Sequence, residues 1–254
     1  MNTLSEPRVP AARAHDETAS GAAREAALAR RIDALPWASI ERDLERDGHA
    51  IVHGLLAPRT CEARDALFRS RVTMARHGFG RGEYQYFGYP LPRAVHALRT
   101  ALYPHLAPIA NRWHAQMRID ARFPAEHAHF IERCRAAGQL RPTPLLLRYR
   151  EGDYNCLHQD LYGEHVFPLQ AAVLLSKPGA DFAGGEFVIT EQRPRMQSRA
   201  DVVPLEQGDA VVFAVHHRPV QGARGVYRVN LRHGVSRVRS GQRHTLGIIF
   251  HDAP

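Results

Sequence analysis

His158, Gln159 and Asp160 close a run, from Leu145 to Leu157, that passes from apolar to polar. On extended backbone, side chains two residues apart point to the same side, so His158 and Asp160 face a common point. An imidazole and a carboxylate held this way suit a first-row divalent metal. One distant histidine would complete a facial set of two histidines and a carboxylate, which leaves three iron positions open for a cosubstrate and dioxygen. The chain carries 16 histidines, so the third ligand has to be weighed. His233 is the first candidate. Gly234 beside it allows close approach of another group, and Ser240-Gly241 turns the chain back as a hairpin. His216 and His217, ending an apolar segment, are the alternatives, and His244 and His251 lie on or beside the last β segment. Arg243 comes ten residues after His233, where the hairpin brings it up next to the metal. A planar guanidinium grips a carboxylate in bidentate fashion, which is what the far end of a metal-chelating 2-oxo diacid requires.

The elements that must position these residues fall into two blocks. Residues 1–22 have no apolar period and predict a disordered tail. Residues 23–141 predict a helical N-terminal layer: helices over 23–35, 37–47 and 58–76, a short strand over 50–56, a long helix or a pair over 92–117, and a helix over 124–137 ended at Gly138. Trp113 and Phe130 are expected in the core. Within this block, residues 77–90 hold four glycines and five aromatics. They predict a loop that either folds over the core on its own aromatics or covers a substrate and stacks on a planar group. Residues 142–254 read as short β segments over 145–149, 166–175, 186–190, 201–205, 210–215, 227–231, 235–238 and 245–250. About eight short strands with turn signals imply a closed or sandwiched core. Helices first and strands later give an α+β chain, in one globular unit.

Composition narrows the function classes. Apolar residues make up 44% of the 254, which is ordinary for a globular chain. No apolar run approaches the ~20 residues of a membrane span, and no leader-like stretch is present, so a cytoplasmic protein is expected. Three widely spaced cysteines, Cys61, Cys134 and Cys156, argue against a disulfide framework or a paired-cysteine zinc site. The net charge of +8 and pI of about 9.9 favour anionic partners, nucleic acid first. All basic residues but Lys177 are arginine, a bias that codon composition can produce, so charge supports nucleic-acid binding without proving it.

The span from about Leu145 to Asp252 resembles the jelly-roll (double-stranded β-helix) core of the iron(II)- and 2-oxoglutarate-dependent dioxygenases. The resemblance rests on His158-x-Asp160, His233 and Arg243, with Asp181-Phe182-Ala183-Gly184-Gly185-Glu186-Phe187 and Gly208-Asp209-Ala210-Val211-Val212-Phe213 in support. Leu157-His158-Gln159-Asp160, with Tyr149 nine residues before His158, is similar to the AlkB-type nucleic-acid dealkylases. The stretch from Arg218 to Asp252 resembles a bacterial family of oxygenases acting on alkylated, damaged nucleic acid. Six residues after Arg243, where AlkB enzymes carry a second arginine, stands Ile249, and Leu147 replaces their asparagine. In that respect the last strand looks more like the prolyl-hydroxylase branch.

The resemblance implies iron(II) held by His158, Asp160 and His233, 2-oxoglutarate held by Arg243 with Tyr149 touching it, and dioxygen as the third reactant. It implies hydroxylation of a substrate C–H bond with release of succinate and CO2, most directly oxidative demethylation of alkylated nucleic acid. For substrate, two features are candidates: Tyr84 and Tyr86, as a stacking surface for a base, and the basic hairpin of Arg218, Arg224, Arg228, Arg232, Arg237 and Arg239, with Arg228 and Arg232 as phosphate contacts. The parity of Arg228 and Arg232 is opposite to that of His233, so they should point away from the interior. A hydroxylase of a protein side chain or small molecule, and a non-catalytic cupin-like binding module, are the competing readings.

Overall fold

The computed structural model describes residues 11–61 and 72–254. Two antiparallel sheets face each other, and the chain weaves between them. β5 (Leu145–Arg150), β7 (Leu169–Leu174), β11 (Ala210–Ala214) and β14 (Val238–Ile248) belong to the larger sheet; β6 (Tyr154–His158), β9 (Phe187–Gln192), β10 (Ser198–Val203) and β13 (Gly225–Val235) belong to the smaller. The order is β11-β7-β14-β5 in one and β10-β9-β13-β6 in the other, so most successive strands change sheet. This is the double-stranded jelly-roll weave. β7 and β11 are buried along their whole length, and read as continuous apolar runs because both faces are covered.

The first half of the chain supplies both helices and strands. α1 (Ala11–Asp33) and α2 (Trp37–Asp47) are followed by β1 (His49–Val52), which extends the larger sheet beyond β11. α3 (Pro58–Cys61) precedes β2 (Val72–Thr73), a 3-10 turn (Met74–His77), β3 (Gly80–Arg81) and β4 (Glu83–Tyr86). β4 pairs with β5 and β2 with β4 at the other edge of the larger sheet, and β3 pairs with β6 in the smaller. α4 (Arg93–Gln116) and α5 (His127–Ala136) complete the block, with α4 packed on α1 and α5. α4 is one helix despite Pro104 and Pro108. Its buried residues, including Leu98, Leu102, Leu106, Ile109 and Trp113, recur at three- and four-residue steps, and this burial holds the helix through the lost hydrogen bonds. Phe130 on α5 is buried with it. No described helix is long and apolar enough to cross a membrane.

Several sequence expectations need correction. Helix begins at Ala11, not at residue 23. The helix expected over 58–76 is described only to Cys61; by Val72 the chain is extended, and residues 62–71 lie outside the described set. Residues 77–90 do not form a free loop. Tyr84, Gln85 and Tyr86 register against Leu147, Leu146 and Leu145 as a strand. Gly80 there serves close packing: a Cβ on it, where φ is +115°, would lie 2.7 Å from the Tyr154 carbonyl oxygen. Tyr89 is also fixed. Its hydroxyl donates to Asp252 Oδ2 (2.8 Å), and Arg99 donates to Asp252 Oδ1 (2.8 Å) and to the Ile249 carbonyl (2.8 Å). The buried Arg99–Asp252 pair ties α4 to the chain just after β14. In the segment expected as a strand over 235–238, Val235 ends β13, Val238 opens β14, and only Ser236 and Arg237 connect them. β12 (His217–Gly222) was not foreseen because Pro219 reads as a strand breaker; it pairs with β13 alone, as an edge strand can. Arg218 on β12 is not part of a basic surface. It is buried, donates to the Glu45 carbonyl, and pairs with Glu191.

Candidate metal centre and cleft

β6 and β13 carry the two histidines directly opposite each other, His158 against His233. The register slips between His233 and Val235. At Gly234 a Cβ would stand 2.6 Å from the Asn155 carbonyl oxygen, so only glycine lets β13 lie this close to β6. Asp160 follows the end of β6 and points to the same side as His158. His158 Nε2 lies 3.5 Å from Asp160 Oδ1, and His233 Nε2 lies 3.4 Å from Asp160 Oδ2. Ligand atoms of all three lie within 4.8 Å of one another. Of the candidate histidines, His233 is thus the one the fold brings to His158 and Asp160. His216 and His217 stack on each other with ring centroids 3.5 Å apart, outside the cluster. His251 instead accepts the Phe167 N–H through Nδ1, and His244 lies beside Ser176.

The protonation pattern suits metal binding. His158 Nδ1 lies 2.8 Å from the Cys156 carbonyl. A carbonyl only accepts, so that nitrogen carries a proton, and Nε2 is the atom turned toward Asp160; burial alone would lower the His158 pKa, but the hydrogen bond and charge of Asp160 outweigh it and raise it. Burial alone would raise the Asp160 carboxyl, but hydrogen bonds and charge from His158 and His233 outweigh it and hold Asp160 well below the usual carboxylate range. Burial pushes His233 down, with His158 adding to the effect, so His233 is available as a neutral ligand. Two imidazole nitrogens and one anionic oxygen on one side of a cleft match the donor set of a facial site with open positions.

A cleft opens from this cluster and reaches Arg243 on β14. Arg243 is 1% exposed. Its guanidinium lies 5.6 Å from the centroid of the Tyr149 ring and 5.9 Å from that of Phe182, and it donates to Thr245 Oγ1. Its Nε has no partner, and among the described residues no carboxylate is within ion-pair distance. Burial lowers its pKa to about 10, which leaves it charged at neutral pH. A buried cation without an anion is costly, so the site is set to receive one. Tyr149 is buried alongside, and burial raises its hydroxyl; the phenol therefore keeps its proton and can donate.

Of the expected substrate residues, Tyr84 and Tyr86 line the cleft, with Phe79 edge-on to His158 at 5.3 Å. Arg228 and Arg232 do not line it. Both point to the outer face of β13, and Arg228 donates to the Met117 carbonyl at the end of α4. Sequence reading missed three polar groups that do line the cleft. Gln170, whose Nε2 is buried without a partner, is the one polar residue in the otherwise apolar β7; that lone interruption was its signal. Asn155 donates to the Tyr149 hydroxyl at 3.4 Å. Tyr162 donates to Asp160 Oδ1 at 2.8 Å.

A jelly-roll with a His-Asp-His cluster in its mouth offers a facial site for a divalent metal, and comparisons with known proteins place the chain among oxygenases. A family described as an oxygenase catalysing oxidative methylation of damaged DNA matches residues 82–253. The chain belongs to this oxygenase family. It is 49% identical over 167 residues to the uncharacterized protein Rv2227 of Mycobacterium tuberculosis strain H37Rv, covering 66% of this chain and 72% of that protein. Among solved structures, an oxidoreductase of the 2OG-Fe(II) oxygenase family from Burkholderia pseudomallei superposes with a TM-score of 0.51 at 16% identity, over 85% of this chain and 92% of that one. A Pseudomonas putida prolyl-4-hydroxylase gives 0.50 at 16% identity, over 83% and 96%. These two likenesses speak for the fold.

Proposed function

We propose that the chain uses iron(II), 2-oxoglutarate and dioxygen to hydroxylate an alkyl carbon on a damaged nucleic-acid base. The observation that carries this reading is the sharing of one cleft by three features: the triad, a buried arginine without an anion, and an aromatic wall. His158, Asp160 and His233 would hold the iron, which supplies the oxidising chemistry when bound. Arg243 holds the distal carboxylate of 2-oxoglutarate as a bidentate partner, with Tyr149 beside it. The apolar walls keep water from the reacting atoms. Tyr84 and Tyr86 offer π-faces to a base taken out of its stack. For each substrate C–H hydroxylated, one 2-oxoglutarate and one O2 become succinate and CO2, with the second oxygen atom in the product. On an N-methyl group the product is a hemiaminal, which breaks at its C–N bond to give formaldehyde and the repaired base.

One observation favours a second reading, hydroxylation of a protein side chain or small molecule. Arg228 and Arg232 stand outside the cleft, so no basic track leads along them into it. Turnover separates the two. Iron-dependent succinate should form above the substrate-free rate with N-methylated single-stranded oligonucleotides, one formaldehyde per succinate, and not with peptide or amino-acid pools. Stimulation by peptides alone would move the assignment to the second reading.

A further inference from the structure

We propose that Tyr162 is a positioning residue that fixes Asp160 as a one-oxygen metal ligand. The proposal rests on the metal reading of the triad. Tyr162 lies two residues beyond Asp160, in the irregular segment after β6, and its hydroxyl is 2.8 Å from Asp160 Oδ1. An ionised carboxylate can only accept, so Tyr162 must donate. Tyr86, on β4, lines the same cleft. Tyr86 is 38% exposed at the rim of the cleft, and its ring is braced edge-to-face by Tyr84 at 5.4 Å.

This arrangement has a chemical consequence. A carboxylate with both oxygens free can rotate and chelate an ion through both, filling one of the three positions a facial triad must leave open. With Oδ1 held by Tyr162, Oδ2, the oxygen nearer His233, remains to ligate. The bond also limits rotation about the side chain, so less order must be created when the metal arrives. Partners of metal-bound carboxylates typically change metal affinity by 10–100-fold when removed. The loss falls on the phenol oxygen alone, since Tyr162→Phe keeps the ring.

Cobalt(II) binding tests this without turnover. Metal-free wild type and Tyr162→Phe would be titrated with Co(II), following heat and the visible ligand-field bands, with thermal unfolding of each metal-free form as the fold control. Wild type should bind one Co(II). Tyr162→Phe should bind it at least about tenfold more weakly, with shifted bands and an unchanged unfolding midpoint before metal is added. Affinity and bands equal to wild type in Tyr162→Phe would overturn the proposal. If Tyr162→Phe does not fold, Tyr162→Leu is titrated in its place, and identity with wild type overturns it. Wild type that binds no Co(II) would instead reject the metal reading on which the proposal rests.

Discussion

Asp160→Ala is expected to lower turnover by at least about 1,000-fold, or about 4 kcal/mol at 1.36 kcal/mol per decade. Asp160 is the one anion in the triad and is held ionised by both histidines. Without it two neutral imidazoles remain, which are a weak site for a hard divalent ion, and the charge that balances the metal in a buried setting is gone. The folded chain should survive, because without the carboxylate two neutral imidazoles leave no uncompensated buried charge. Circular dichroism with iron-dependent succinate formation checks both halves. The contrast lies in His216 and His217, which touch each other and not the cluster. Replacing either by alanine should leave turnover within about twofold of wild type, a difference of about 0.4 kcal/mol. Comparable loss at His217 would relocate the site.

Arg243→Met should separate binding from stability. Removing the guanidinium deletes a charge-assisted bidentate partner inside a largely dry cleft, and the Michaelis constant for 2-oxoglutarate should rise by at least about 30-fold, near 2 kcal/mol. Co(II) binding should persist, because Arg243 ligates nothing. The unliganded variant should unfold no more easily than wild type, and can be more stable, since an unpaired buried cation gives way to an apolar chain. The stabilisation conferred by 2-oxoglutarate moves the other way. At a concentration 100 times the wild-type dissociation constant, wild type gains about 2.7 kcal/mol and a variant binding 30-fold more weakly about 0.9 kcal/mol. A purely structural arginine would show the reverse pattern, lower stability with cosubstrate affinity unchanged.

The parts of the site legible in the sequence were those fixed by local backbone geometry. His158 and Asp160 share a side because strands alternate, and His233 could be singled out from other histidines by Gly234, which β6 needs against it. Arg243 followed from a hairpin. What escaped depended on partners far away in sequence. Arg218 looked like one more surface arginine until Glu191 and the Glu45 carbonyl were placed beside it. Glycines 78 to 82 looked like mobility, but Gly80 is there because β3 runs against Tyr154. Tyr162 carried no pattern at all; only the fold turns its hydroxyl onto Asp160. The jelly-roll core was readable from its alternating strands. The contribution of the first half to both sheets was not, because β2 and β3 are two residues each and leave no period to detect.

The most direct test of the central claim is anomalous diffraction from crystals grown with Mn(II) and 2-oxoglutarate without oxygen. The account predicts one strong manganese peak bonded at about 2.0–2.2 Å to His158, Asp160 and His233, with the cosubstrate's 2-oxo acid end on the metal and its far carboxylate on Arg243. Manganese bound elsewhere, or 2-oxoglutarate with its distal carboxylate away from Arg243, would contradict it.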